Sequence, residues 1–148
     1  MQQVPLQIMK LAHFRGDLPK YETGLASGFD VRAQLDQSVV LKPGERALIP
    51  TGLSFAIPDG YEIQVRPRSG LAIKKGISMV NTPGTVDADY RGEVKVIIIN
   101  HGLEEVEIAD QERIAQFVLC PVVQAQFQVV DSLDATTRGA GGFGSTGV

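Results

Sequence analysis

Helical periodicity is nearly absent from this sequence, whereas β-branched segments recur with turn residues between them. The strand candidates are Gln7 to Leu11, Val39 to Leu41, Arg46 to Ile57, Tyr61 to Pro67 and Ile77 to Val80, then Gly92 to Asn100, Val106 to Ile108, Ile114 to Cys120 and Ala125 to Val129. The breaks Lys42-Pro43-Gly44-Glu45, Pro58-Asp59-Gly60 and Asn100-His101-Gly102 supply the backbone angles that tight turns need. Many short strands with such turns predict an all-β sandwich, jelly roll or barrel. One short helix is expected over Ser69 to Lys75, with Ser69 as its N-cap.

Length and composition narrow the functions this fold can serve. At 148 residues the chain suits one domain, large enough to form a core without disulfide or structural metal. Fourteen Lys and Arg against 17 Asp and Glu leave a net charge of −3, which argues against duplex DNA or RNA as main partner. A small anionic ligand stays open. Uncharged apolar runs reach only about seven residues, far short of the ~20 of a membrane-spanning helix. The N-terminus lacks the basic and hydrophobic regions of a secretory signal, so a cytoplasmic or otherwise intracellular protein is expected. The single cysteine, Cys120, sits in the apolar run Phe117 to Val123 and reads as a small buried hydrophobe. The only histidines, His13 and His101, lie far apart in expected loops, which speaks against a histidine metal site or triad. The remaining plausible chemistry is carboxylate with Mg²⁺ acting on phosphate.

Five polar islands interrupt the strand pattern. Asp30 lies in Ser27 to Ala33 and, taken alone, reads as a strand-edge carboxylate. Arg66-Pro67-Arg68-Ser69-Gly70-Leu71-Ala72 reads either as a capped short helix or as a phosphate site. Asn81 to Glu93 is too polar for a strand and too rich in specific side chains for an ordinary turn. It reads equally as a long hairpin or as a site, and on an extended backbone Asp87 and Asp89 would point the same way. Glu112-Arg113-Ile114-Ala115-Gln116 opens a strand, where a surface salt bridge from Arg113 is the simplest reading. The last eleven residues, Arg138 to Val148, hold five glycines and too few apolar side chains to join a core. A mobile arm is expected over 138–148, beyond a domain of residues 1–137. The Gly139, Gly141, Gly144 spacing is formally G-x-G-x-x-G, yet no strand precedes it and no helix can follow, so the dinucleotide-binding reading fails.

In this order, the five islands resemble the five motifs of the trimeric dUTP pyrophosphatase (dUTPase) family, from about Asp30 to Gly147. The resemblance implies a jelly-roll-like β-clip domain with one short helix, assembled as a homotrimer whose three sites are each covered by a C-terminal arm. It implies Mg²⁺-assisted hydrolysis of dUTP to dUMP and pyrophosphate, which limits uracil incorporation into DNA and supplies dUMP for thymidylate synthesis.

Residue by residue, the resemblance gives Asp87 the water that attacks the α-phosphorus. Tyr90 would pack on the deoxyribose and exclude a 2′-hydroxyl. Asn81, Gly84, Thr85, Val86 and Lys95 would line the uracil pocket. Arg68, Ser69, Gly70 and Gln116 would hold the phosphates. Phe143, beside Gly144, would stack on uracil, while Arg138, Ser145 and Thr146 would close on the β- and γ-phosphates. Mg²⁺ would bind mainly through the triphosphate and water, with Asp30 supporting its water shell indirectly or bracing the site. Gln111 departs from the pattern by standing where the family commonly has glycine. Two rivals remain: a dCTP deaminase-like enzyme, which needs a catalytic glutamate in the strand after the hairpin, and a nucleotide-binding regulatory module.

Overall fold

The computed structural model describes residues 3–144 of the chain. It has eleven strands and one helix among the described residues: β1 (Gln7–Lys10), β2 (Phe29–Arg32), β3 (Val39–Leu41), β4 (Arg46–Pro50), β5 (Leu53–Ala56) and β6 (Tyr61–Arg66). There follow α1 (Ser69–Lys75), β7 (Ile77–Met79), β8 (Gly84–Val86), β9 (Lys95–Asn100), β10 (Val106–Ile108) and β11 (Arg113–Pro121). All strand pairs are antiparallel. β2, β11, β6 and β8 form a four-stranded sheet in that order, β4, β9 and β7 a three-stranded one, and the pairs β1–β5 and β3–β10 complete the body.

One apolar core joins these sheets. Phe29 from β2, Phe117 from β11 and Phe55 from β5 stack edge to face or tilted, with ring centroids 5.9 to 6.5 Å apart, so the four-stranded sheet and the β1–β5 pair meet through aromatic contacts. Ile49, Val96, Ile98 and Ile77 extend this core from the three-stranded sheet, and Leu41 and Ile108 extend it from the β3–β10 pair. Burying one such side chain stabilises by about 1.5–3 kcal/mol. Leu71 is the only buried residue of α1, which therefore lies on the surface. No helix among the described residues is long and apolar enough to cross a membrane.

The all-β architecture and the helix bounds agree with the sequence reading, while several local expectations do not. The run Arg46 to Ile57 is two strands, because the chain turns at Gly52, whose φ of +67° belongs to the left-handed region. The Asp30 and Asn81 islands each contain a short strand, β2 and β8, paired to β11 and β6 respectively. Ala125 to Val129, expected as a strand, is unpaired and exposed. Ser69 is not the N-cap. Arg68 occupies that position in extended conformation with no side-chain cap, and Ser69 begins the helix. Cys120 is half-buried, with Arg66 Nη2 3.8 Å from its sulfur.

Candidate functional site

The structure gathers the candidate residues into three groups. The first surrounds Asp30. Arg68 holds both oxygens of that carboxylate in a fork, Nε donating to Oδ1 and Nη2 to Oδ2, each at 3.0 Å, and Arg113 Nη1 reaches Oδ2 at 3.3 Å. β2 brings Asp30 opposite Gln116 of β11, and Gln116 lies opposite Arg66, two residues before Arg68. Ser69 and Gly70 follow at the exposed start of α1. The Arg113 pair expected on the surface is thus a two-arginine bridge on Asp30. Such charge-assisted forks fix guanidinium planes as well as positions, and Arg68 Nη1 adds a bond to the Arg113 carbonyl at 3.3 Å, locking the two arginines together.

Gln111 explains its own departure from the family pattern. Its φ is +62°, the conformation in which glycine is the ordinary choice, and its amide offsets the strain by donating to Gln34 Oε1 at 3.1 Å while its backbone N–H donates to the Ala33 carbonyl. Next to it, the Leu35 N–H holds the Asp110 carboxyl below its ordinary value, and Arg15 reinforces this against the opposing effect of burial. The turn that delivers Arg113 and Gln116 to Asp30 is therefore intact without the glycine.

The second group is the hairpin between β7 and β9. Asn81 stands at its entrance, and a Cβ on Gly84 would lie 3.0 Å from Asn81 Nδ2, so the bare glycine admits the amide beside β8. Thr85 is exposed between buried Gly84 and Val86. Asp87 and Asp89 do not share an extended face: the Tyr90 N–H donates to the Asp87 carbonyl at 3.2 Å, closing a turn immediately after β8. Asp87 lines a cleft of about 890 Å³ with Asp59, Glu62, Asp89 and Arg91, which takes no wall from the arginine group. Tyr90 and Lys95 line a neighbouring cleft with Leu48, Glu93 and Ile97.

Glu93 is the residue that the motifs did not single out for a role. Its Oε1 accepts from the Gly52 N–H and from His13 Nε2, both at 2.8 Å, and Lys95 Nζ lies 3.6 Å from Oε2. Burial alone would raise the Glu93 carboxyl, yet the His13 and Gly52 hydrogen bonds and the nearby positive charge hold it below the usual carboxylate range. His13 is thereby accounted for. Among the described residues no group of three His, Cys, Asp or Glu side chains could hold a metal ion.

The third group lies beyond β11. Residues 122–144 form no helix or strand and are almost wholly exposed, including Val123, Phe127, Val129 and Leu133. Near its end the chain curls through consecutive turns. The Gly139 N–H donates to the Thr136 carbonyl, and Arg138 Nε donates to the Gly141 carbonyl at 2.9 Å. Phe143 is fully exposed with φ +51°, and Gly144 follows it at φ +82°. Ser145 and Thr146 lie outside the described residues.

Comparison with known proteins points one way. The family model described as dUTPase matches residues 15–147. The deoxyuridine 5′-triphosphate nucleotidohydrolase of Bdellovibrio bacteriovorus is 67% identical over 147 residues, 99% of each chain. That of Desulfotalea psychrophila is 63% identical over 131 residues, covering 88% of this chain and 87% of its own. Among solved structures, the dUTPase of Staphylococcus bacteriophage 80alpha with dUPNHPP superposes with a TM-score of 0.86 at 27% identity, covering 99% of this chain and 100% of that one. A mutant dUTPase from phage phi11 of S. aureus, described as revealing the coordination of a structural Mg(II) ion, has a TM-score of 0.79 at 23% identity over 89% of this chain and 100% of its own.

Proposed function

The chain belongs to the dUTPase family, with its jelly-roll-like β fold, and on that premise we propose that it hydrolyses dUTP to dUMP and pyrophosphate with Asp87 activating the attacking water. Consumption of dUTP limits uracil incorporation into DNA, and the dUMP formed supplies thymidylate synthesis. The observation that carries the phosphate side of this reading is the fork of Arg68 and Arg113 on Asp30. Two guanidiniums pre-oriented beside Ser69, Gly70 and Gln116 meet the charge of a triphosphate without reorganising during the reaction. Asp87 accepts the proton of water as its oxygen bonds to the α-phosphorus. The bond to the bridging oxygen breaks, and pyrophosphate leaves against the arginines, with Arg138 and the arm closing over it. Asn81, Gly84, Thr85, Val86 and Lys95 line the uracil pocket, Tyr90 supports the sugar, and Phe143 covers the base.

Mg²⁺ fits this donor set as an ion carried by substrate phosphates and water. Both oxygens of Asp30 already accept from guanidiniums, so Asp30 braces the arginines, and no three-carboxylate cage competes among the described residues. When bound, the ion neutralises triphosphate charge.

Two observations support the homotrimer that the family resemblance implies. Ala125, Phe127 and Val129 alternate with Gln124, Gln126 and Gln128, the pattern of a half-buried strand, yet among the described residues this segment has neither a strand partner nor a covered face. A second copy supplies both. The cleft that Asp87 lines also takes no wall from the arginine group of its own chain, and a neighbouring copy supplies it. Against the deaminase rival, the glutamate following the hairpin, Glu93, is ionised and bonded to Gly52 and His13, so it is not a free proton carrier.

Separate Mg²⁺ reactions with dUTP, dCTP, dTTP and UTP, assayed together for pyrophosphate and ammonia, test the reading. Pyrophosphate from dUTP alone is expected. Ammonia from dCTP transfers the protein to the deaminases, and tight dUTP binding without turnover makes it a binding module.

A further inference from the structure

The Tyr90 side chain has an unusual seat. A Cβ built on Gly92 would lie 2.5 Å from the Tyr90 hydroxyl oxygen, 2.7 Å from Cζ and 3.2 Å from Cε2, so the ring lies directly across the bare Cα of Gly92. No real Cβ tolerates the first two distances. The same hydroxyl donates to the Glu93 carbonyl at 3.0 Å, and the ring remains 47% exposed, free to meet a ligand on its other side.

Glu93 in turn is tied to the body from three directions. Its carboxylate takes the Gly52 N–H at the corner between β4 and β5 and takes His13 from the segment after β1, while the next residue, Val94, donates its N–H to the Leu53 carbonyl. The carbonyl that receives the Tyr90 hydroxyl therefore belongs to a fixed point of the chain. Arg91, between them, turns back to donate to the Ala88 and Tyr90 carbonyls, closing the loop on itself.

We propose that Gly92 and Glu93 are the positioning residues for sugar selection: Gly92 makes room for the Tyr90 ring, and the anchored Glu93 backbone tethers its hydroxyl, fixing the platform on which deoxyribose is distinguished from ribose. This rests on Tyr90 being the sugar platform. A ring held this way cannot retreat to admit a 2′-hydroxyl, whereas a ring displaced by a methyl group at position 92 leaves a gap beside the sugar. Discrimination by exclusion depends on how far the wall can yield.

The test is the ratio of kcat/KM for UTP to that for dUTP, which a merely structural loss of active protein would not change. Gly92→Ala is expected to raise the ratio about tenfold, the lower end of what one methylene-sized change in a pocket gives. Tyr90→Leu is expected to raise it at least as much, and adding Gly92→Ala to Tyr90→Leu is expected to change it no further, since contacting residues are non-additive. An unchanged ratio in Tyr90→Leu overturns the platform reading itself. A raised ratio there with an unchanged one in Gly92→Ala, or full additivity in the double variant, overturns the positioning proposal alone. Should Gly92→Ala not fold, Tyr90→Phe decides: removing only the tether is expected to raise the ratio severalfold, and a wild-type ratio overturns the proposal.

Discussion

Residues 114–120 of β11, nearly all apolar, and residues 123–129 of the extension, apolar at every second position, both have strand-like patterns, and they meet opposite fates. β11 lies between β2 and β6, hydrogen-bonded to both, with Ile114, Ala115 and Phe117 completely enclosed. The extension pairs with no strand among the described residues and leaves Phe127 93% exposed. Strand propensity describes a surface suited to a neighbour, and whether the strand forms depends on that neighbour being present. The strands of the body find their neighbours within the chain; in the proposed trimer the extension finds its own on another copy and carries the arm with it.

Truncation after Thr137 is expected to abolish pyrophosphate release while leaving folding and oligomeric state unchanged, because the described part of the arm adds nothing to the core and its proposed role is to close the site; a monomeric or aggregated product by light scattering would make the arm structural. Asp87→Asn is expected to lower kcat by at least ~10²-fold, the usual scale of a lost general base, with dUTP binding largely kept. Phe127→Asp on a truly exposed segment would change stability by no more than ~0.5 kcal/mol. Here it is expected to dissociate the proposed trimer, read by sedimentation, and an unaltered assembly would exclude the extension from the proposed interface.

The body has finer tests. The lowered carboxyl of Glu93 contributes stability that is fully present above the unfolded value of about 4.3 and is lost as pH falls through the lower folded value. Acid unfolding below about pH 4 should therefore be shallower in Glu93→Gln, measured by denaturant titration across pH. The smallest effect is expected for Gln111→Gly. Relief of a left-handed conformation worth about 1–2 kcal/mol is offset by the lost bond to Gln34 and by glycine's greater unfolded entropy, so stability should move by less than ~1 kcal/mol and kcat should not move.

What could be read from the sequence follows how local each cause is. The bounds of α1, β3 and β10 were legible because their start and stop signals lie within a few residues. β2 and β8 were not: four and three residues long and partly polar, they become strands by pairing with β11 and β6. The motif residues could be named by order and spacing, but what holds them could not. Asp30 meets Arg68 and Arg113 across separations of 38 and 83 residues, and Glu93 meets Gly52 and His13 across 41 and 80. No local pattern announces such contacts. The φ of Gln111 was equally hidden, although the glycine expected there was the available hint.

In the proposed trimer, Asp87 and the arm that completes its site come from different copies of the chain, and subunit mixing separates this arrangement from a site built within one chain. Asp87→Asn protein and protein truncated after Thr137, each inactive alone, are unfolded together in equal amounts, refolded and assayed with dUTP. If the two parts come from different chains, random assembly restores about one quarter of the sites, since each site needs an intact Asp87 from one copy and an intact arm from another. If both parts come from the same chain, no combination is complete, and absence of activity in the mixed oligomers would contradict a site shared between copies.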